Sequence, residues 1–132
     1  MLATGTFEVK LAPQPLTHGV DGLPMARMSL DKTFSGDLEA VSYGEMISAG
    51  TQVKGSAGYV AMEWVRGTLH GRKGSFVLQH SATMNRGAPE MHISVIPDSG
   101  TEELLGLAGK LTITITEGKH LYSFDYSITA SV

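Results

Sequence analysis

Phe7, Val9 and Leu11 fall on one side of an extended chain and Glu8 and Lys10 on the other. A period of two is the signature of a half-buried strand. Strand-like runs return at 26–34, 38–49, 59–70, 75–82, 91–96, 109–117 and 120–129. Turn chemistry separates most of them: Ser35-Gly36-Asp37, the stretch from Gly50 to Gly58, Gly71-Arg72-Lys73-Gly74 and Asn85-Arg86-Gly87. A Pro/Gly-rich segment at 12–24 reads as a long loop or flap, since a connection of that length is unusual in a small domain. Between the sixth and seventh runs, Ser99 and Glu102 have capping-box spacing, which predicts one short helical turn.

Tight turns set register, so the pattern can be tested for consistency. With Arg72-Lys73 as a two-residue loop, Leu69 faces Phe76, Val65 faces His80 and Glu63 faces Ala82. With Gly118-Lys119 as the loop, Ile115 meets Tyr122, Ile113 meets Phe124 and Leu111 meets Tyr126. A loop at Ser35–Asp37 sets Phe34 against Leu38, Lys32 against Ala40, Leu30 against Ser42 and Arg27 against Glu45. Each hairpin then has one dry face and one wet face. Antiparallel strands with one-sided burial and almost no helix predict an all-β fold, closed into an antiparallel barrel of about eight strands. Gly67 falls on the dry face, where a barrel strand has to bend.

The chain has 132 residues, the length of one domain spanning 1–132. Its 10 basic and 13 acidic residues give a formal charge of −3. Divided after Arg66, the halves carry 5 basic against 7 acidic and 5 against 6. Neither half forms a basic patch, which argues against nucleic acid as a partner. No apolar run approaches the roughly 18 residues that a membrane-spanning helix needs, so no membrane partner is expected. Cysteine is absent, which excludes disulfides, thiolate nucleophiles and Cys-based zinc sites. With no export signal visible at the start, this points to the cytoplasm.

Two stretches carry a family resemblance: Gly58-Tyr59-Val60-Ala61-Met62-Glu63, and Gly67-Thr68-Leu69-His70-Gly71-Arg72-Lys73-Gly74-Ser75-Phe76-Val77-Leu78-Gln79-His80. The later Pro97-Asp98-Ser99-Gly100-Thr101-Glu102-Glu103-Leu104, Gly106-Leu107-Ala108-Gly109 and His120-Leu121-Tyr122-Ser123-Phe124-Asp125-Tyr126 extend it over nearly the whole chain. The sequence resembles an uncharacterised bacterial family of short single-domain proteins, defined only as a domain of unknown function. The resemblance implies a barrel similar to that of plant allene oxide cyclase, a cofactor-free enzyme that closes an unsaturated fatty epoxide into a ring. No catalytic motif of the cyclase maps onto these residues, so what it implies is fold.

The residues themselves offer one constellation. The inferred register places Glu63 and His80 on the dry face of adjacent strands as diagonal neighbours, within reach of long side chains. Apolar burial raises a carboxyl pKa and a neighbouring imidazole can exchange its proton, so the pair are the candidate catalytic residues. Lys32, Tyr122 and Tyr126 also point inward and complete the candidate ligand-binding set. The plain structural alternative is a satisfied polar plug, because such groups buried without partners cost several kcal/mol.

Other chemistries lack their motifs. His18, His70, His80, His92 and His120 show no metal-ligand spacing, so no metal is expected, and nothing calls for a cofactor. Gly109-Lys110 and Gly118-Lys119 are followed by Leu111 and His120, whereas a phosphate loop requires Ser or Thr. No Gly-x-Ser-x-Gly elbow is present. Trp64 reads outward beside Val60 and Met62, a strip suited to contact with a second copy of the chain.

Three functions are compatible with these features. The first is a barrel that binds a small apolar or amphipathic molecule in a modest cavity near one mouth, flanked by loops at 12–24 and 83–90. The second is a cofactor-free isomerase- or cyclase-like enzyme. The third is a non-catalytic protein that associates with itself as a homo-oligomer.

Overall fold

The computed structural model describes residues 1–129. Eight strands run in chain order: β1 (Leu2–Gln14), β2 (Met25–Gly36), β3 (Leu38–Gly50), β4 (Ala57–Leu69), β5 (Arg72–Asn85), β6 (Ala88–Val95), β7 (Leu107–Thr116) and β8 (Lys119–Ile128). Each pairs antiparallel with its neighbours, and β1 pairs with β8 to close the barrel. The one helical element is a 3-10 turn, Glu102–Leu104, between β6 and β7. The expected capping box does not form: the turn is preceded by Thr101 with no side-chain cap, and the Ser99 hydroxyl instead accepts from the Val77 N–H at 3.1 Å. No helix among the described residues is long and apolar enough to cross a membrane.

Two of the hairpin turns sit earlier than the expected Arg72-Lys73 and Gly118-Lys119 loops. The β4–β5 turn is His70-Gly71 and the β7–β8 turn is Glu117-Gly118. All four residues have positive φ, between 48° and 78°. Two-residue hairpins need both central residues in that region, because this geometry matches the twist of the flanking strands. Leu69 therefore faces Arg72, Val65 faces Phe76, Glu63 faces Leu78 and Ala61 faces His80. Ile115 faces His120 and Ile113 faces Tyr122. At the β2–β3 turn Phe34 faces Ala40 and Lys32 faces Ser42. Every slip is an even number of residues, so each side chain stays on its expected face. Arg27 and Glu45 do form an ion pair on the outer wall, at 2.5 Å, but as diagonal neighbours.

The loops also contract. β1 runs to Gln14 and β2 starts at Met25, leaving 15–24 as the connection. The segment 83–90 is not a loop: β5 and β6 continue through it to an Arg86-Gly87 turn, again with both φ positive.

The barrel has two unlike ends. The end carrying the β2–β3 and β4–β5 turns and the 3-10 turn is filled. Phe34, Leu38, Leu69, Phe76, Leu104, Leu107, Tyr122, Phe124 and Tyr126 pack there as one apolar core. Phe76 stacks on Phe124 with centroids 5.9 Å apart, and Phe124 leans on Tyr126 at 5.4 Å. Gly67 lies tight against β3: an added Cβ would stand 2.1 Å from the Glu39 carbonyl oxygen and 2.5 Å from the Ala40 Cα. The opposite end is looser. The β1–β8 ladder stops at Phe7 and His120, and β6 meets β7 at one paired position, Ser94 with Lys110. The strand tips beyond those points part, and the inward-facing Leu11, Met84, Met91 and Ile115 are exposed there.

Candidate functional site

Four successive strands each contribute one polar side chain to the barrel interior: Lys32 from β2, Ser42 from β3, Glu63 from β4 and His80 from β5. Strand alternation turns all four inward. Lys32 stands directly opposite Ser42, while Glu63 lies diagonally to both Ser42 and His80. Glu63 and Ser42 have no exposed surface, and His80 and Lys32 retain 3% and 7%.

Glu63 is the hub. Its Oε1 accepts from the Lys32 ammonium at 3.1 Å and from His80 Nε2 at 2.7 Å, and its Oε2 accepts from the Ser42 hydroxyl at 2.5 Å. A carboxylate only accepts, so the His80 ring carries a hydrogen on Nε2. The Lys32 ammonium lies 4.8 Å from the centre of the Phe7 ring and 5.8 Å from that of Phe34, where the ring faces attract a cation. No buried side-chain nitrogen or oxygen among the described residues lacks a partner.

This arrangement reverses the expected acidity. Burial raises the Glu63 carboxyl, but the His80 hydrogen bond, the Lys32 charge and the Ser42 hydroxyl together outweigh it and hold the group at about 2. An acid that weakly basic is firmly ionised near neutral pH. A general base works best with a pKa near the operating pH, which Glu63 does not have. Its lone pairs are also engaged on both oxygens. The cluster is built as an ion-paired plug.

The predicted candidates divide accordingly. Lys32, Glu63 and His80 come together. Tyr122 and Tyr126 point inward as expected, but they belong to the filled end. The Tyr122 hydroxyl accepts from the Leu38 N–H at 2.8 Å and reaches the carbonyls of Ser35 and Leu38 at 3.0 and 3.2 Å. The Tyr126 hydroxyl is hydrogen-bonded to His70 Nδ1. Both phenols lock turns in place and neither joins the cluster. Two residues went unselected. Ser42 is recoverable from the true register, which sets it opposite Lys32. Tyr59 is recoverable from alternation alone, since it shares the inward face of β4 with Ala61 and Glu63.

Next to the plug, toward the loose end, lies an apolar cavity of about 240 Å³. Met46 and Ser48 from β3, Tyr59 from β4, Ala82 and Met84 from β5 and Met91 from β6 line much of it. A larger groove of about 510 Å³ runs along the outer wall, lined chiefly by outward residues including Arg27, Glu45, Ile47, Val60 and Met62. Beside it Trp64 stacks on Tyr43, with centroids 6.4 Å apart and planes 18° from parallel. Among the described residues no group of three or more His, Asp or Glu side chains is placed to hold a metal ion.

The comparison with known proteins agrees with this architecture. Residues 3–126 match the model of a family described as proteins of unknown function, DUF3224. The chain belongs to that family. It is similar to a DUF3224 protein of unknown function from Shewanella oneidensis MR-1, whose crystal structure superposes with a TM-score of 0.94. The two are 52% identical over 99% of this chain and 98% of the other. No curated protein matches the chain.

Proposed function

We propose that this DUF3224 barrel is a binding module for a small apolar or amphipathic molecule, held in the cavity at its loose end. The observation that carries this reading is the juxtaposition of an apolar cavity with a fully satisfied polar plug. The cavity of about 240 Å³ exceeds the roughly 150 Å³ that suffices for benzene and falls below the range for drug-sized ligands. Met46, Met84 and Met91 give it a lining that adapts to the shape of its occupant. Lys32, Glu63 and His80 lie further along the barrel, buried and bonded to one another, and leave the lining apolar. The isomerase or cyclase alternative would need Glu63 or His80 to move protons, and a carboxyl held at about 2 with both oxygens bonded is poorly suited to that.

Mild purification followed by native mass spectrometry tests the proposal. A co-purifying small molecule, lost when Ala82→Trp fills the cavity, is the expected result. Unoccupied protein that also fails to take up apolar probes would overturn it.

A second reading concerns partners. Val60, Met62, Trp64, Tyr43, Val41 and Ile47 together expose a broad apolar strip on the outer faces of β3 and β4. Such patches on soluble proteins mark contact surfaces, and we infer that a second copy of the chain covers this one. Light scattering decides: a dimer reduced to monomer by Trp64→Lys supports the contact, and an unchanged mass retires it.

A further inference from the structure

The chain has seven methionines and no cysteine, so the thioether is the side-chain group that a peroxide attacks most readily here. Five of the seven are exposed: Met1, Met25, Met62, Met84 and Met91. Of these five, only Met84 and Met91 line the apolar cavity at the loose end, and each is 44% exposed. They stand on adjacent strands. Met91 of β6 faces Ala82, and Met84 lies two residues further along β5. At that diagonal offset on one face of a strand pair the Cα atoms are roughly 7–8 Å apart, so the two side chains form one stretch of the lining. Met46 lines the cavity from β3 and is half-buried, as is Met28 directly opposite it on β2.

Oxidation changes what that stretch is. Hydrogen peroxide transfers one oxygen atom to the sulfur: the O–O bond breaks, an S–O bond forms, the thioether is oxidised to the sulfoxide, and the peroxide is reduced to water. The sulfoxide oxygen is a strong hydrogen-bond acceptor, whereas the lining around it is almost wholly apolar. Covering such a group with an apolar ligand, which offers no donor, is costly. The change is also reversible, since methionine sulfoxide reductases restore the thioether. In that step a dithiol is oxidised to a disulfide and the oxygen leaves as water.

We propose that Met84 and Met91 are a peroxide-sensitive modification site that controls the cavity. As thioethers they admit a small apolar molecule, and as sulfoxides they exclude it. The inference rests on the binding role proposed above and adds its regulation.

Limited treatment of the whole protein with hydrogen peroxide, followed by peptide mass mapping, reads the site without any ligand. Met84 and Met91 should be converted before Met28 and Met46, and the reverse order overturns the assignment. Ethylbenzene, titrated by NMR before and after treatment, reads the consequence. Its affinity for wild type should fall by about 10-fold or more while circular dichroism shows the fold intact. Each variant is then compared with itself. The fall should persist in the double variant Met25→Leu, Met62→Leu, whose positions lie outside the lining, and should disappear in Met84→Leu, Met91→Leu. Unchanged affinity of oxidised wild type, a fall that survives Met84→Leu, Met91→Leu, or a fall that accompanies unfolding overturns the control and leaves the binding role standing. Untreated protein that binds no ethylbenzene removes the binding role and its control together.

Discussion

The Lys32 ammonium rests 3.1 Å from the Glu63 carboxylate inside a β-barrel, with 7% of one residue exposed and none of the other. Removing two charges from water is costly, and their attraction offsets that only where the remaining donors and acceptors are also satisfied. Ser42 and His80 fill that requirement. The balance depends on all four groups, which makes the cluster sensitive to losing any one of them.

Replacing Glu63 alone with Leu leaves Lys32 as an uncompensated buried charge and should destabilise the fold by about 3–5 kcal/mol. The double replacement Lys32→Met with Glu63→Leu should recover much of that loss, since an apolar pair of similar volume needs no counter-charge. Urea denaturation of the two single variants and the double variant gives the coupling directly. Strict additivity would show that the ion pair does not exist in solution.

Acid should act on the same group. Because the folded-state pKa of Glu63 is depressed from 4.5 to about 2, its contribution is fully present above pH 4.5 and declines as pH falls toward 2. Stability followed by circular dichroism should fall through that window by a few kcal/mol more in wild type than in the Lys32→Met, Glu63→Leu double variant. Identical acid profiles would contradict the ion-paired state.

Alkali probes the phenols. Burial raises Tyr59, Tyr122 and Tyr126 above their ordinary value of 10.0, with Glu63 adding to the effect at Tyr59. A raised group contributes stability that is present below its ordinary value and lost as pH rises through the folded one. Phenolate absorbance of these three should therefore develop above pH 10 and should track unfolding at Tyr122, the most tightly bonded. Tyr122→Phe leaves the Leu38 N–H buried without its acceptor and should cost about 1–3 kcal/mol. Tyr59→Phe, which removes a hydroxyl without a protein partner, should cost much less.

Gly67 tests the closeness of the wall. Any Cβ there would enter the backbone of Glu39 and Ala40 on the neighbouring strand, neither of which can rotate away. Gly67→Ala should lose about 3 kcal/mol or more, because overpacking against backbone forces the strands apart. A near-neutral melting temperature would mean that β3 and β4 sit further apart than described.

Alternation along the chain already told which way nearly every side chain points, and with it the all-β barrel and the inward placement of Lys32, Glu63 and His80. That inference survived wrong turn assignments, because slips of two or four residues conserve the face of a strand with period two. Which residues meet was another matter. The choice between His70-Gly71 and Arg72-Lys73 as a turn rests on backbone twist at positive φ, a property of the closed sheet as a whole. Only with the true register does Ser42 face Lys32, and only then do three donors converge on one carboxylate. Local sequence carries the burial that raises the Glu63 pKa. The donors that lower it come from three other strands, 17 to 31 residues away along the chain, so the ionisation of the group is a tertiary property. The separation of Tyr122 and Tyr126 from the cluster has the same origin. All of them face inward, but a barrel is filled in layers, and the layer a side chain joins is set by strand stagger around the whole circumference.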